Sequence, residues 1–208
     1  MKKFLLIDDH FVVRAGMGGL LRDIYKPCEI HEAEDPEEAL EKLKKNSYDM
    51  IIMDVQIPKA DLLGFMGHIH IKYPATKVLI FSMTTENIYA KRFLKAGAMG
   101  FLSKESSQAE IKKAINLVLG NRKYISGSLA EMLVDDSITG KSGNPFEKLS
   151  AREFEIASLL LSGHTQNDIS KSLNLESSTV GTHKARIFNK LKVSNLLELK
   201  ELETSFKL

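Results

Sequence analysis

The sequence contains little cysteine and almost no net charge, and both shortages limit what the protein can be. Cys28 is the single cysteine among 208 residues, so the chain can build neither a disulfide framework nor a cysteine-rich zinc site. The 29 lysines and arginines nearly balance the 27 aspartates and glutamates, which gives a net charge of +2. Such a balance excludes a surface that binds polyanions over its whole extent, so any nucleic-acid contact must be a local patch.

The sequence also lacks a long hydrophobic run at its start, internal repeats and low-complexity segments. Only four apolar residues stand between Lys3 and Asp8, which is too short for a signal-peptide core or a membrane span. We therefore expect a cytoplasmic protein that does not contact membranes. With 43% hydrophobic residues, a chain of this length can form one or two domains with substantial cores.

The first part of the chain alternates short apolar runs with amphipathic segments, which is the pattern of a parallel sheet covered by helices on both faces. The predicted strands are 4–7, 28–33, 50–53, 78–81 and 100–102, and the predicted helices are 12–25, one from 36 onward, 64–73, 85–96 and 108–119. Five such units in succession predict a small doubly wound α/β domain over residues 3–120.

The rest of the chain has a different pattern. Residues 135–145 are polar and rich in turn formers, and they follow a segment that predicts a short extra helix over 127–134. We therefore place a linker at 121–144. The remainder, 145–208, predicts an all-helical domain, because three helix starts carry capping-box pairs: Ser150 with Glu153, Thr165 with Asp168, and Asn195 with Glu198.

Polar residues with complementary chemistry follow four of the predicted strands. They are the pair Asp8 and Asp9, then Asp54, Ser82 and Lys104. Because the carboxyl ends of parallel strands line one crevice, these side chains should converge there. Three acids in one place favour a divalent cation, and oxygen ligands favour Mg²⁺. A lysine and a hydroxyl facing a carboxylate suit an incoming phosphoryl group, so the set predicts an aspartate that accepts one.

Longer motifs carry a resemblance to a known family. Leu6-Ile7-Asp8-Asp9-His10, Met53-Asp54-Val55-Gln56-Ile57-Pro58 and the run 95–104 resemble the receiver domain of two-component response regulators. Leu149-Ser150-Ala151-Arg152-Glu153, Thr179-Val180-Gly181-Thr182-His183 and Lys190-Leu191-Lys192-Val193 resemble the LuxR-type helix-turn-helix. Together they resemble a NarL/FixJ-type regulator over nearly the whole chain. The resemblance implies a flavodoxin-like five-stranded sheet of order 2-1-3-4-5, then a small four-helix domain with its helix-turn-helix at about 166–185.

The resemblance also implies a role for each residue of the predicted site. Asp54 would be the phosphoacceptor, and Ser82 and Lys104 would contact the phosphoryl group. Asp9, Asp54 and the backbone carbonyl of Gln56 would hold Mg²⁺, with Asp8 acting through bound water. Ser82 and Phe101 would form a switch pair, although Phe101 is otherwise an ordinary core aromatic. The segment Asp61-Leu62-Leu63-Gly64 departs from the family pattern, in which the acid and the glycine are adjacent, and suggests a reshaped loop on the face that a kinase would touch.

In the second domain, the resemblance makes 166–173 the support helix and 177–190 the recognition helix, which lies in the major groove. Helical periodicity places Val180, Ile187 and Leu191 on a core face. Four basic residues and no acidic one lie between positions 177 and 197, a bias that suits phosphate contacts but also fits a solvated face. The predicted DNA contacts are Thr165, Ser178, Thr179, Gly181, Thr182, Lys184, Ala185, Arg186, Asn189 and Lys190.

The implied partners are a sensor histidine kinase, double-stranded promoter DNA and, when the protein is phosphorylated or DNA-bound, a second copy of the chain. An apolar stripe of Leu196, Leu199 and Leu202 could pair with its copy or pack back on its own domain. In the unphosphorylated state we expect the receiver to cover the recognition helix. Gly181 inside that helix suggests either a close approach of the backbone to DNA or neutral drift.

Two other functions are weaker alternatives. A phosphatase with Asp54 as nucleophile would carry a second acid where Gln56 stands, and no substrate-sized insertion is present. We therefore expect no enzyme activity beyond slow self-dephosphorylation. An interaction adaptor that does not bind DNA is favoured only by Gly181 and Ala185 on the recognition face. His68 and His70, two positions apart on a helix, cannot share one metal ion, and His10 is expected to be a surface histidine near the site.

Overall fold

The computed structural model describes residues 1–57, 60–83, 88–127, 129–131, 134 and 144–206. The strands of the first domain are β1 (Lys2–Ile7), β2 (Cys28–Ala33), β3 (Met50–Met53), β4 (Lys77–Ser82) and β5 (Gly100–Ser103). Its helices are α1 (Phe11–Ile24), α2 (Pro36–Lys45), α3 (Leu62–Lys72), α4 (Ile88–Lys95) and α5 (Gln108–Leu119). All strands pair in parallel in the order β2-β1-β3-β4-β5, which confirms the predicted sheet.

Both faces of the sheet are covered, and its middle strand, β3, is apolar and buried at every position. Successive residues of β3 alternate between two cores. Ile51 and Met53 pack in the core that includes α2, α3 and α4, whereas Met50 and Ile52 pack in the core with α1 and α5. The register that aligns Ile7 of β1 with Met53 of β3 brings the ends of these strands to one edge.

Helix α3 begins two residues before the predicted start because Asp61 caps it. Its Oδ1 accepts a hydrogen bond of 2.6 Å from the backbone N–H of Gly64. The acid three residues before the glycine is therefore the N-cap of α3. Helix α4 is described from Ile88, so the predicted start at 85 lies outside the described residues.

The second domain is all-helical, as predicted. A short 3₁₀ helix (Pro145–Lys148) precedes α6 (Ala151–Leu161), α7 (Gln166–Ser172), α8 (Ser177–Leu191) and α9 (Leu196–Phe206). The capping boxes at Ser150 and Thr165 are both formed. Residues 127, 129–131 and 134 are helical, and the predicted linker core at 135–143 lies outside the described residues.

Most of the apolar stripe of α9 packs back on its own domain. Leu199 is fully buried and Leu202 packs against the same core, whereas Leu196 is 41% exposed. Of the two alternatives, packing back on its own domain therefore applies to Leu199 and, in part, to Leu202.

The two domains contact each other through α4. The ring of Tyr89 meets that of Phe154 edge-on at 4.9 Å, and its hydroxyl donates to Ser158 Oγ at 2.9 Å. Arg92 donates to the backbone carbonyls of Phe146 and Leu149 at 3.0 and 2.7 Å. These contacts are made by the 3₁₀ helix and α6. We expected the receiver to pack against the recognition helix, α8. In these contacts α4 packs instead against α6, the helix before the helix-turn-helix, so the expectation is wrong for this part of the interface.

Within the part of the chain that the structure describes, no helix has both the length and the apolar character needed to cross a membrane.

Candidate functional site

Two buried carboxylates and a lysine meet at the carboxyl edge of the sheet. Asp8 follows β1, Asp54 follows β3 and Lys104 follows β5. Lys104 Nζ lies 2.6 Å from Asp8 Oδ2 and 2.8 Å from Asp54 Oδ2. The two aspartates are 4% and 2% exposed, so the ammonium group supplies the charge that compensates their burial. The structure thus brings together three residues that are far apart in sequence.

Backbone amides hold the other oxygen of each buried carboxylate. Asp54 Oδ1 accepts hydrogen bonds from the N–H groups of Val55 and Gln56 at 2.6 and 3.1 Å, and Asp8 Oδ1 accepts one from the N–H of His10 at 2.9 Å. Burial alone would lower the pKa of Lys104, but the hydrogen bonds and charges of Asp54 and Asp8 outweigh it and raise that pKa. Lys104 is therefore a fixed positive charge beside both carboxylates.

The same edge offers a set of ligand atoms for a divalent cation. One ligand atom from each of Asp8, Asp9, His10 and Asp54 lies within 4.8 Å of the others. Carboxylate oxygens are the ligands that Mg²⁺ prefers, so the three acids fit the predicted ion. Gln56, whose backbone carbonyl was predicted as a further ligand, is exposed and lies two residues after Asp54.

His10 is closer to the acids than the sequence indicated. Its side chain is 63% exposed, yet Nδ1 lies 2.8 Å from Asp9 Oδ1 and 3.1 Å from Asp8 Oδ1. His10 is a surface histidine near the site, as predicted, but its contacts with Asp8 and Asp9 were not predicted. The only signal in the sequence was its position directly after the acidic pair.

Ser82 and Phe101 occupy the interior beside this edge. Ser82 ends β4, is fully buried, and its backbone carbonyl accepts from the N–H of Lys104 at 2.9 Å. Phe101 in β5 is also fully buried and packs in the core that contains α3 and α4. Full burial is common to a core aromatic and to a switch aromatic that has turned inward, so their switch role stays a prediction.

Arg14 is a structural member of the site that the sequence analysis missed. It is 6% exposed, and its NH1 donates to the backbone carbonyl of Asp8 at 2.6 Å. Its Nε and NH2 pair with Glu32 and Glu34 at 3.2 and 2.8 Å. Burial lowers the pKa of Arg14, but the two glutamates outweigh it and raise that pKa. The available signal was a charged residue on the apolar stripe of α1, in line with Met17 and Leu21.

The second candidate surface is α8. Val180, Ile187 and Leu191 are buried, which confirms the predicted core face. The predicted DNA contacts divide into an exposed set (Thr165, Ser178, Thr182, Ala185, Arg186, Asn189 and Lys190) and a partly buried set (Thr179, Gly181 and Lys184). Most of the predicted contact residues are therefore accessible on one side of the helix.

Lys190 has a partner within its own domain. Its Nζ lies 2.6 Å from Oε2 of Glu153, which is 4% exposed. Burial raises the pKa of Glu153, but the hydrogen bonds from Lys190 and Ser150 outweigh it, so the pKa is lowered. Lys190 thus compensates a buried charge, in addition to its predicted contact with DNA phosphates.

His68 and His70 are both exposed on α3. Among the described residues, the group at the carboxyl edge is the one place where three or more histidine, cysteine, aspartate or glutamate side chains converge. A metal site at these two histidines has no support from this geometry.

Comparison with known proteins gives two family matches that together span most of the chain. Residues 4–116 match the response regulator receiver domain, and residues 147–202 match the luxR family of bacterial regulatory proteins. The response regulator GacA of Pseudomonas syringae pv. syringae is 35% identical over 200 residues, covering 96% of this chain and 94% of GacA. The response regulator UvrY of Escherichia coli K12 is 33% identical over 203 residues, covering 97% of this chain and 93% of UvrY.

Solved structures show the same fold. RcsB from Salmonella enterica serovar Typhimurium, bound to promoter rprA with the phosphomimetic BeF3⁻, has a TM-score of 0.76 at 22% identity, covering 97% of each chain. Another structure of Salmonella typhimurium RcsB has a TM-score of 0.81 at 22% identity and covers 100% of both chains. At this identity the likeness shows the two-domain fold.

Proposed function

The chain belongs to the two-component response regulators that join a receiver domain to a LuxR-type regulatory domain, and from that premise we propose that Asp54 accepts the phosphoryl group. The observation that carries this proposal is Lys104 Nζ, which lies 2.8 Å from Asp54 Oδ2. An Asp54 carboxylate oxygen attacks phosphorus while the P–N bond to the phosphohistidine of a sensor kinase breaks. Because the histidine ring carries a proton on its other nitrogen, it leaves as neutral imidazole, and an acyl phosphate forms on Asp54. Lys104 then pairs with the phosphoryl oxygens, and the hydroxyl of Ser82 donates a hydrogen bond to one of them.

Asp9, Asp54 and the backbone carbonyl of Gln56 would hold Mg²⁺, with Asp8 bonded to its water. When bound, the ion offsets the charge of the phosphoryl oxygens in the transition state. The N–H groups of Val55 and Gln56 keep one Asp54 oxygen fixed at 2.6 and 3.1 Å, so the carboxylate is already oriented. Beyond this transfer we propose only slow self-dephosphorylation, with no other enzyme activity.

The output is DNA binding at promoters through α8, with the exposed residues Ser178, Thr182, Ala185 and Asn189 facing base edges. Arg186 and Lys184 contact phosphates. RcsB was solved bound to promoter rprA and, in another structure, as two dimers bound to two parallel DNAs. We extend both properties to this chain as a homodimer that forms on phosphorylation or on DNA. We propose a cytoplasmic location, where promoter DNA is accessible.

We propose domain limits of 3–120 for the receiver, 121–144 for the linker and 145–208 for the DNA-binding domain. Phosphorylation would act on the output through Ser82 and Phe101, which lie on the strands that flank α4. That helix carries the contacts of Tyr89 and Arg92 with the second domain.

Labelling of the intact protein by a small phosphodonor tests the acceptor. With Mg²⁺ present, mass spectrometry should find one phosphoryl group on the wild type and none on Asp54→Asn. Asp23→Asn is the matched control, because Asp23 is an exposed aspartate near the end of α1 and outside the site. Full labelling of Asp54→Asn, or full labelling of the wild type without a divalent metal, contradicts the proposal.

A further inference from the structure

Gly181 lies where α8 passes the start of α7, and the space beside it is not open. A Cβ built on Gly181 would stand 3.0 Å from Nε2 of Gln166 and 3.8 Å from its Cδ. The first distance is shorter than an ordinary van der Waals contact between these atoms. Any side chain at position 181 must therefore displace the Gln166 amide or move the helix.

The Gln166 amide cannot move freely, because it is bonded to the first residue of α8. Its Nε2 donates to the backbone carbonyl of Ser177 at 2.6 Å and reaches Ser177 Oγ at 3.3 Å. The N-cap of α8, Glu176, contributes no side-chain capping bond. Gln166 therefore provides a direct polar link from the start of the support helix to the start of the recognition helix.

Helix geometry explains why position 181 faces this link. In an α-helix the carbonyl of residue 177 is the acceptor for the N–H of residue 181. The Cα–Cβ bond of every helical residue tilts toward the N-terminus, so a Cβ at 181 would point back toward that carbonyl and toward the amide bonded to it. Glycine at 181 leaves the second lone pair of the Ser177 carbonyl accessible to Gln166.

We propose that Gln166 and Gly181 form a matched pair that sets the position of α8 on α7. Gln166 is a positioning residue that acts through Ser177, and Gly181 supplies the room for it. The pair fixes where Ser178 and Thr182, in the same first turns of α8, face the major groove. Glycine at 181 thus serves a contact inside the protein, in place of the close DNA approach or the drift that the sequence suggested. The DNA-binding consequence rests on the proposed function, whereas the packing does not.

The packing is tested without DNA by a double-mutant cycle in the full-length protein. Amide hydrogen exchange in α8 is measured for wild type, Gly181→Ala, Gln166→Ala and the double variant. Alanine favours a helix over glycine by about 1 kcal/mol, which corresponds to a roughly fivefold rise in protection. We expect that rise when Gly181→Ala is made in the Gln166→Ala background, and no rise when Gln166 is present. An equal rise in both backgrounds overturns the proposal, because the two residues would then be independent.

Binding to DNA gives the second readout. The probes are a duplex selected from a random library by the phosphorylated wild type and a scrambled duplex of equal composition. Gly181→Ala and Gln166→Ala should each lower the affinity for the selected duplex by about tenfold, which is in the range of one lost base contact. Neither variant should change the affinity for the scrambled duplex. The double variant should bind no more weakly than Gln166→Ala alone. Ser172→Ala, at the far end of α7, is the control and should match wild type.

The possible outcomes separate the competing explanations. If Gly181→Ala lowers the affinity for the selected duplex equally with and without Gln166, the glycine allows a close approach to DNA and the proposal of a matched pair is wrong. If Gly181→Ala binds as wild type does, the glycine is incidental and the proposal also fails. If the wild type selects no duplex, the proposed DNA binding fails, while the hydrogen-exchange cycle still decides the packing.

Discussion

Replacing Arg92 with alanine should separate the two domains without unfolding either of them. The Arg92 guanidinium donates to the carbonyls of Phe146 and Leu149 and lies 4.2 Å from the centre of the Phe154 ring. From α4, Arg92 reaches both the 3₁₀ helix and α6. Its removal therefore deletes contacts with two elements of the DNA-binding domain at once, while the sheet and the helical core stay intact.

The size of the effect follows from these contacts. Each hydrogen bond from a charged group contributes about 1.5–3 kcal/mol, and the cation–π contact adds about 0.5–2 kcal/mol. Burial opposes them, since it lowers the pKa of Arg92 and leaves its Nε without a hydrogen-bond partner. An unsatisfied buried donor costs about 1–3 kcal/mol. The net loss on truncation is about 3 kcal/mol, roughly a hundredfold shift toward separated domains.

Small-angle X-ray scattering of the unphosphorylated protein measures this shift as an increase in the radius of gyration. Limited proteolysis should also cleave the connection between the domains faster in Arg92→Ala. Lys95→Ala is the matched control, because Lys95 is an exposed cation one turn along the same helix. Scattering from Arg92→Ala that superimposes on both wild type and Lys95→Ala would refute the reasoning, since the guanidinium would then contribute nothing to the closed arrangement.

Three further outcomes follow from charges in the structure. Burial in the cleft between the domains raises the pKa of the Glu155 carboxyl to about 7 from 4.5, so Glu155 binds a proton more tightly in the closed arrangement of the domains, and that arrangement loses stability as the pH rises through 7. The population of separated domains, measured by scattering, should therefore increase about tenfold from pH 6 to pH 8. Glu155→Gln should remove this pH dependence. Arg14→Leu leaves the Asp8 carbonyl unpaired and should lower the free energy of unfolding, measured in urea, by about 2 kcal/mol. Arg14→Lys should restore part of that free energy, and an Arg14→Leu variant as stable as wild type would contradict the role of Arg14 at the end of β1. Lys184→Ala should lower the affinity for all duplexes alike and reduce the slope of log affinity against log salt concentration by about 1. A loss of affinity that depends on the DNA sequence would instead indicate a base contact.

The sheet and its functional edge could be predicted because both depend on local signals. Continuous apolar runs mark buried parallel strands, and the polar residues after Ile7, Met53 and Phe81 must then share one edge. The resemblance added roles for those residues. The carbonyl contact of Arg14 was missed because side-chain direction on a helix decides it, and an arginine on an apolar stripe has no single interpretation from sequence.

Other features depended on contacts between distant segments. The periodicity of α9 marks an apolar stripe but does not say whether its own core or another copy covers it, and the core covers Leu199. The contact between Gly181 and Gln166 joins two helices whose relative position no local pattern fixes. The same holds for Arg92, whose partners in the second domain lie more than fifty residues away in sequence.

The loop after the acceptor connects the phosphorylation edge with the domain interface. It begins with Val55 and Gln56, whose N–H groups hold Asp54, and it ends at Asp61, which caps α3 and lies 3.5 Å from Arg152 of α6. Val55 and Gln56 also line a cleft of about 290 Å³ together with Phe154 and other residues of α6. The residues that orient the Asp54 carboxylate thus face α6 across this cleft. Asp61, three residues before Gly64, therefore has two partners: it caps α3 within the receiver and lies beside Arg152 of the DNA-binding domain.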